Sequence, residues 1–296
     1  MPPPGCVTMY KQYLESIKLP TDDQEFRFIL GQKRNCYNGI YPFKIFPDKG
    51  LGRVDFAPIT ILYGGNGSGK TTLLNVIAEK AGVGRNSPFN GSAFFGDFAE
   101  MCALKAKQIP RHSRIMTSDD VFEYILDIRY VNDGIDSRRE ALFNEFVERK
   151  YSDNQLRSMA DYEEWKENRA AKTQTQSRYV RERLRRNTDM FSNGENAMKY
   201  FVDNITENAV YLLDEPENSL SIAFQQELCT FLADSARHFG CQIIMATHSP
   251  VLLSMKDARI YDLDSSPVCT KKWTDLENVR RYFDFFESHR SEFEIE

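Results

Sequence analysis

Apolar and polar positions alternate along this chain in three patterns, and each predicts a different kind of element. Compact apolar runs at Ile59–Leu62, Ala209–Leu213 and Cys241–Met245 predict buried strands, with shorter strands at Arg114–Met116 and Arg259–Leu263. Apolar residues at helical spacing predict amphipathic helices carrying Leu73, Leu74, Val76 and Ile77; Val121, Ile125 and Ile128; Ala197, Tyr200 and Phe201; and Phe224, Leu228, Phe231 and Leu232. A last helix bears Trp273, Leu276, Val279, Tyr282, Phe283 and Phe286, an aromatic stripe that suits core packing better than a partner surface. Near the N-terminus, Tyr13–Lys18, Phe26–Leu30 and Ile40–Phe46 predict small antiparallel strands, separated by turn signals at Asn38-Gly39, Pro47-Asp48 and Gly50. Gly82–Gly96 predicts an exposed loop, Phe98–Lys107 a helix, and Ser118-Asp119-Asp120 a helix cap. Residues 137–187 mix both charge signs and are poor in Gly and Pro, so they predict long helices with solvated faces.

Strands alternating with helices make this an α/β chain: a mostly parallel sheet flanked by helices. The expected organisation is a single domain over residues 1–296. It has a β-rich antiparallel lobe at 1–58, a helical insertion at 83–187 and a final lobe at 188–296. The net charge of −5 supplies no global attraction to nucleic acid, so any such contact needs a local basic patch. One candidate is the cluster Arg178, Arg181, Arg183, Arg185 and Arg186, which otherwise reads as a solvated helix face. No run approaches the length of a membrane span, the N-terminus lacks the regions of a signal peptide, and the six cysteines form no C-x-x-C pair. Reduced thiols, a cytoplasmic location and no membrane partner are therefore expected. The four histidines (His112, His238, His248, His289) form no metal-like pair, and no nuclease-like constellation is visible.

The chemistry concentrates where the strand patterns end. After Ile59–Leu62 the chain reads Gly64, Gly65, Asn66, Gly67, Ser68, Gly69, Lys70, Thr71, which fits G-x-x-x-x-G-K-[ST] without a mismatch. Such a glycine loop turns backbone N–H groups inward at the positive end of a helix, which is what a phosphate chain requires. Lys70 would reach the β- and γ-phosphates and Thr71 would ligate Mg²⁺. Ala209–Leu213 ends in Asp214-Glu215, placing one carboxylate to hold Mg²⁺ through water and another to polarise an attacking water. Cys241–Met245 runs into Ala246-Thr247-His248-Ser249-Pro250; taken alone His248 reads as a structural histidine, but on a strand that follows the glycine loop and Asp214-Glu215 it reads as a sensor of the γ-phosphate. Ser192-x-x-Glu195 reads as a capping box that opens a helix. Tyr37, Tyr41 and Phe43 are aromatics that could stack on a base or lie in the core.

Taken in order, GGNGSGKTT, FSNGE, YLLDEP, SLS and ATHSP resemble the motif series of an ABC-type ATPase. The chain resembles the soluble RecF/SMC/Rad50-like branch and, more closely, looks like the small stand-alone bacterial AAA-family predicted ATPases, over essentially its whole length. The resemblance implies ATP with Mg²⁺. It gives the phosphates and metal to Gly64, Gly69, Lys70, Thr71 and Thr72, the Walker B role to Asp214, the general-base role to Glu215 and the γ-phosphate contact to His248. Phe191–Glu195 stands where that superfamily has its signature, although Asn193 replaces the usual second glycine. By the same resemblance Ser192, Gly194 and Glu195 would cap ATP bound to a second subunit, so hydrolysis would need a homodimer sandwiching two ATP molecules. Gln108, Ser118 and Asp119 are the candidates for the position of the Q-loop glutamine. The expected function is an ATP-driven switch controlling a separately encoded partner, in phage defence or a related stress response. The alternative is a DNA-repair ATPase of RecF or Rad50 type; its rival coiled-coil feature is absent, because heptads are not sustained through the insertion.

Overall fold

In a computed structural model the described residues are 10–33, 39–152, 162–184 and 192–293. Two compact units divide the chain: Met1–Val121 with Asn193–Glu296, and Phe122–Ser192.

In the larger unit the chain opens with β1 (Leu14–Lys18) and α1 (Asp22–Leu30). The apolar run Phe26–Leu30, expected as a strand, is helical. Thr21 and Gln24 form a capping box, and Asp22, Asp23 and Glu25 complement the helix N-terminus. Phe28 then stacks on Phe43 at 4.7 Å, and Glu25, almost wholly buried, accepts the Lys44 N–H at 2.6 Å. Ile40–Phe46 is likewise not a strand but a series of turns. Pro42 lacks a ladder donor and Lys44 has φ 67°. After a short 3₁₀ turn at Pro47–Lys49 come β2 (Arg53–Asp55), β3 (Ile59–Tyr63), α2 (Lys70–Ala81), α3 (Phe95–Met101) and β4 (Ala103–Ala106). The expected helix through Phe98–Lys107 therefore stops at Met101. β4 pairs antiparallel with β1, and β1 with β2, so tertiary pairing overrides local helix preference and completes a three-stranded antiparallel sheet.

β5 (Arg114–Thr117) leads directly into α4 (Ser118–Tyr151), whose N-terminus is fixed by reciprocal hydrogen bonds between Thr117 and Asp120. After the smaller unit come α7 (Asn193–Asn204), β6 (Val210–Asp214), α8 (Ile222–His238), β7 (Gln242–Thr247) and α9 (Pro250–Leu253). The unit closes with β8 (Arg259–Asp262), β9 (Cys269–Thr270), α10 (Glu277–Ser288) and α11 (Arg290–Phe293). The main sheet has the order β5-β6-β7-β3-β8-β9. It is parallel except for β9, and β3 and β7 are buried at every position. That burial on both faces is why these strands read as unbroken apolar runs.

Gln242, fully buried at the start of β7, links the two sheets. Its Oε1 accepts from Tyr13 N (2.9 Å) and Leu14 N (2.8 Å), and its Nε2 donates to Leu14 O (2.9 Å) and Ala57 O (3.1 Å). On α10 the aromatic stripe does not pack inward as expected. Leu276, just before it, and Val279 are buried, whereas Tyr282, Phe283 and Phe286 are about half exposed.

The smaller unit holds most of α4, with α5 (Tyr162–Thr173) and α6 (Gln176–Arg183), around a core of Leu142, Phe146, Ala171, Tyr179 and Val180. Arg178 pairs with Glu182 at 2.8 Å. Arg183 pairs with Glu167 at 2.7 Å and lies over the Tyr179 ring. Two members of the arginine cluster are thus engaged within this unit; Arg185 and Arg186 lie outside the described residues.

Candidate functional site

Parallel strands end together at one edge of a sheet, and the loops that follow β3, β6 and β7 meet there, where α/β folds place their ligand crevice. The loop after β3 turns through Gly67 (φ 78°) and Gly69 (φ 93°), a conformation L side chains resist, and delivers the chain into the N-terminus of α2. A Cβ at Gly69 would also come within 3.2 Å of Ile45. Lys70 is buried and folds back along the loop, donating to Gly64 O (2.8 Å) and Gly65 O (3.0 Å). Its Nζ is 3.8 Å from Glu215 Oε1. Thr71 Oγ1 donates to Asp214 Oδ1 at 3.0 Å, and Thr72 Oγ1 accepts from the Tyr41 hydroxyl at 2.9 Å.

The paired Thr71 hydroxyl and Asp214 carboxylate are hard oxygen donors at a helix N-terminus. That donor set fits Mg²⁺ shared with phosphate oxygens rather than a soft metal. Burial is the main reason the Asp214 carboxyl is pushed up to about 6. The Thr71 hydrogen bond opposes the rise and the neighbouring Glu215 adds to it. Glu215 sits in the left-handed region (φ 46°), held by its N–H to Ala246 O at 2.9 Å; Asn218 Nδ2 reaches its Oε2 at 3.3 Å. His248 Nδ1 lies 3.7 Å from Glu215 Oε1 and 3.6 Å from Glu217 Oε1. Lys70, Thr71, Asp214, Glu215 and His248, five residues predicted from separate stretches, are therefore brought together.

The signature segment is placed differently. α7 begins at Asn193 directly after Ser192, and Gly194 packs tightly on α8: a Cβ there would lie 2.9 Å from the Phe224 ring. Glu195 is in the first turn of α7, and Phe191 lies outside the described residues. Of the aromatic candidates, Tyr41 reaches the site through Thr72, Phe43 is in the core against Phe28 and Phe98, and Tyr37 lies outside the described residues. Thr117 is in register with Asp214, so Ser118 and Asp119 follow at the edge of the site. Gln108 is exposed in the loop before β5.

Several residues at the site escaped sequence reasoning. Lys49 Nζ donates to Ser68 O (2.7 Å) and Leu263 O (2.8 Å), and Asp264 Oδ2 accepts the Gly65 N–H at 2.7 Å, so two distant segments brace the phosphate loop. Asp264 also lines a cleft of about 230 Å³ with Gly64, Gly65, His248 and, from α10, Asn278 and Arg281. Buried Asp120 accepts from Ser87 and Thr117, and Arg85 bonds Asn75 one helical turn beyond Thr71. None of these sits at a fixed spacing from the motifs. The one signal available for Glu217 was its place two residues after Glu215.

Residues 105–254 match the family described as "AAA domain, putative AbiEii toxin, Type IV TA system". No curated protein matches the sequence. Among solved structures, the chain is similar to an Smc head domain with an extended coiled coil from Pyrococcus furiosus, bound there to the C-terminal domain of ScpA. The identity is 14%, the TM-score 0.41, and the match covers 94% of this chain and 99% of that one. The SMC head domain from Thermotoga maritima gives 13% identity and a TM-score of 0.40, covering 88% and 99%. cbiO1 from Clostridium perfringens, part of the ABC transporter complex cbiONQ, gives 17% and 0.34, covering 80% and 87%.

Proposed function

The chain belongs to this AAA domain family, and from that premise we propose that it binds ATP with Mg²⁺, hydrolyses it slowly, and uses ATP-dependent homodimerisation as a switch controlling a separate partner. The observation that carries this reading is the convergence of Lys70, the Thr71–Asp214 pair, Glu215 and His248 on the phosphate loop.

In this reading the loop N–H groups and Lys70 hold the β- and γ-phosphates. Lys70 is prepared for this: it now rests on two carbonyl oxygens that phosphate oxygens can replace. Thr71 and Asp214 would hold the Mg²⁺, which would supply positive charge to neutralise the phosphates. Glu215, fixed by its strained backbone, accepts a proton from the attacking water, and His248 orients the terminal phosphate. Ser192, Gly194 and Glu195 at the start of α7 close the site of a second subunit. ATP touched by both subunits favours the dimer through its differential affinity for that state.

The family's description, "putative AbiEii toxin, Type IV TA system", supports the defence reading; the separately encoded effector is part of our proposal and draws nothing from that description. Nucleic-acid binding through the arginine cluster, or a repair role, draws less support, because Arg178 and Arg183 are already ion-paired. The decisive measurement is size exclusion of Glu215→Gln with saturating ATP and Mg²⁺. A dimer that retains ATP is expected, and a variant that stays monomeric refutes the sandwich.

A further inference from the structure

We propose that Glu217 is a positioning residue that holds His248 against the phosphate loop; this rests on the hydrolytic reading of His248 given above. Glu217 follows Glu215 in the loop after β6 and is 93% buried, with only 7% of its surface exposed. Its Oε1 gathers three donors from the loop after β7: Thr247 Oγ1 at 2.6 Å, His248 N at 3.0 Å and Ser249 N at 3.2 Å. The same oxygen stands 3.6 Å from His248 Nδ1. One carboxylate therefore fixes the backbone on both sides of the histidine and also faces its ring.

The rest of that loop is over-determined in the same direction. Thr247 Oγ1 also accepts the Ser249 N–H at 3.0 Å. Ser249 Oγ caps α9 through Val251 N and Leu252 N and donates to Gln225 Oε1 at 2.7 Å. Two atoms are left over. Among the described residues, neither Glu217 Oε2 nor His248 Nδ1, both buried atoms, has a hydrogen-bond partner. A buried carboxylate oxygen without a partner carries a desolvation cost, and fold maintenance alone would be served as well by a smaller acceptor. The arrangement makes sense if the carboxylate sets where the imidazole stands, leaving Nδ1 uncommitted until the ring turns toward a ligand. Because Glu217 lies two residues from Glu215, movement of the segment after β6 would carry the general base and the histidine together.

The test is a double-mutant cycle on ATP hydrolysis, with amide exchange of the nucleotide-free protein in parallel. Glu217→Ala should lower kcat about 10–100-fold, as a misplacement near 1 Å does, while KM stays within about threefold. Adding Glu217→Ala to His248→Ala should cost nothing further, since Glu217 acts through the histidine. Glu217→Gln, whose amide oxygen can take the same three donors, should restore most of the loss, and it serves as the probe if the alanine variant folds poorly. In Glu217→Ala the amides of His248 and Ser249 should exchange faster. Multiplying losses in the double variant overturn the proposal, and so does an unchanged kcat in Glu217→Ala beside an impaired His248→Ala. If the wild-type chain hydrolyses no ATP, the hydrolytic reading falls by itself. The exchange arm then still decides: protection at residues 248 and 249 that is unchanged in Glu217→Ala overturns the positioning.

Discussion

Replacing Asp214 with asparagine should make the nucleotide-free protein more stable at neutral pH, and the size of the gain can be worked from its surroundings. The carboxyl is pushed from its ordinary 3.8 to about 6, chiefly because the end of β6 is half-buried between β5 and β7. The folded state thus binds the proton more tightly than the unfolded chain does. For an acid raised in this way, the cost of burying the charge is absent below about pH 4, grows between about 4 and 6, and is complete above about 6. At 1.36 kcal/mol per pH unit the full cost is at most about 3 kcal/mol, because water still reaches part of the group. Asparagine keeps the oxygen that accepts from Thr71 Oγ1 and never ionises. Urea unfolding in chelator should therefore show Asp214→Asn more stable than wild type by up to about 1 kcal/mol at pH 4.5, widening to between about 1 and 3 kcal/mol at pH 7.5. A gap that does not widen with pH, or an asparagine variant that is the weaker at pH 7.5, would refute the desolvation argument. The same variant should lose Mg²⁺-dependent hydrolysis, since the charge that costs stability is the one that would hold the metal.

Two further substitutions test the supports around the site. Gln242→Leu removes the acceptor shared by Tyr13 N and Leu14 N in a fully buried position, so denaturant unfolding should report a loss of about 3–5 kcal/mol; a loss below about 1 kcal/mol would mean that other groups take over those donors. Lys49→Met withdraws both hydrogen bonds to Ser68 O and Leu263 O. Titration with a fluorescent ATP analogue should show affinity about 3–10-fold weaker, with the melting temperature little changed; unaltered affinity would show that the phosphate loop holds its shape without this brace.

The amino-acid sequence alone determined the parts of this protein that depend on a local rule. The glycine loop, the apolar strand ending in Asp214-Glu215 and the strand ending at His248 were legible because each needs particular residues at fixed spacing, and because a strand buried on both faces must be apolar throughout. Where local rules compete, the chain's own preferences misled. Phe26–Leu30 looks like a strand, yet the Thr21–Gln24 capping box makes it helical. Ala103–Ala106 looks helical, yet β1 offers an unpaired edge that it completes. The aromatic stripe of α10 suited a core, but only its first turn has a core to enter. Only the tertiary structure could decide what braces the site from elsewhere: Lys49 and Asp264 reach the phosphate loop from segments on either side of it in sequence, and an oxygen of Glu217 meets the His248 loop 31 residues later. The Asp264 and Glu217 contacts follow from the order β6-β7-β3-β8, which sets distant strand ends side by side, whereas Lys49 comes in from the 3₁₀ turn at Pro47–Lys49, outside that sheet. A hydrogen bond is specified by that proximity in space, and no spacing along the chain encodes it.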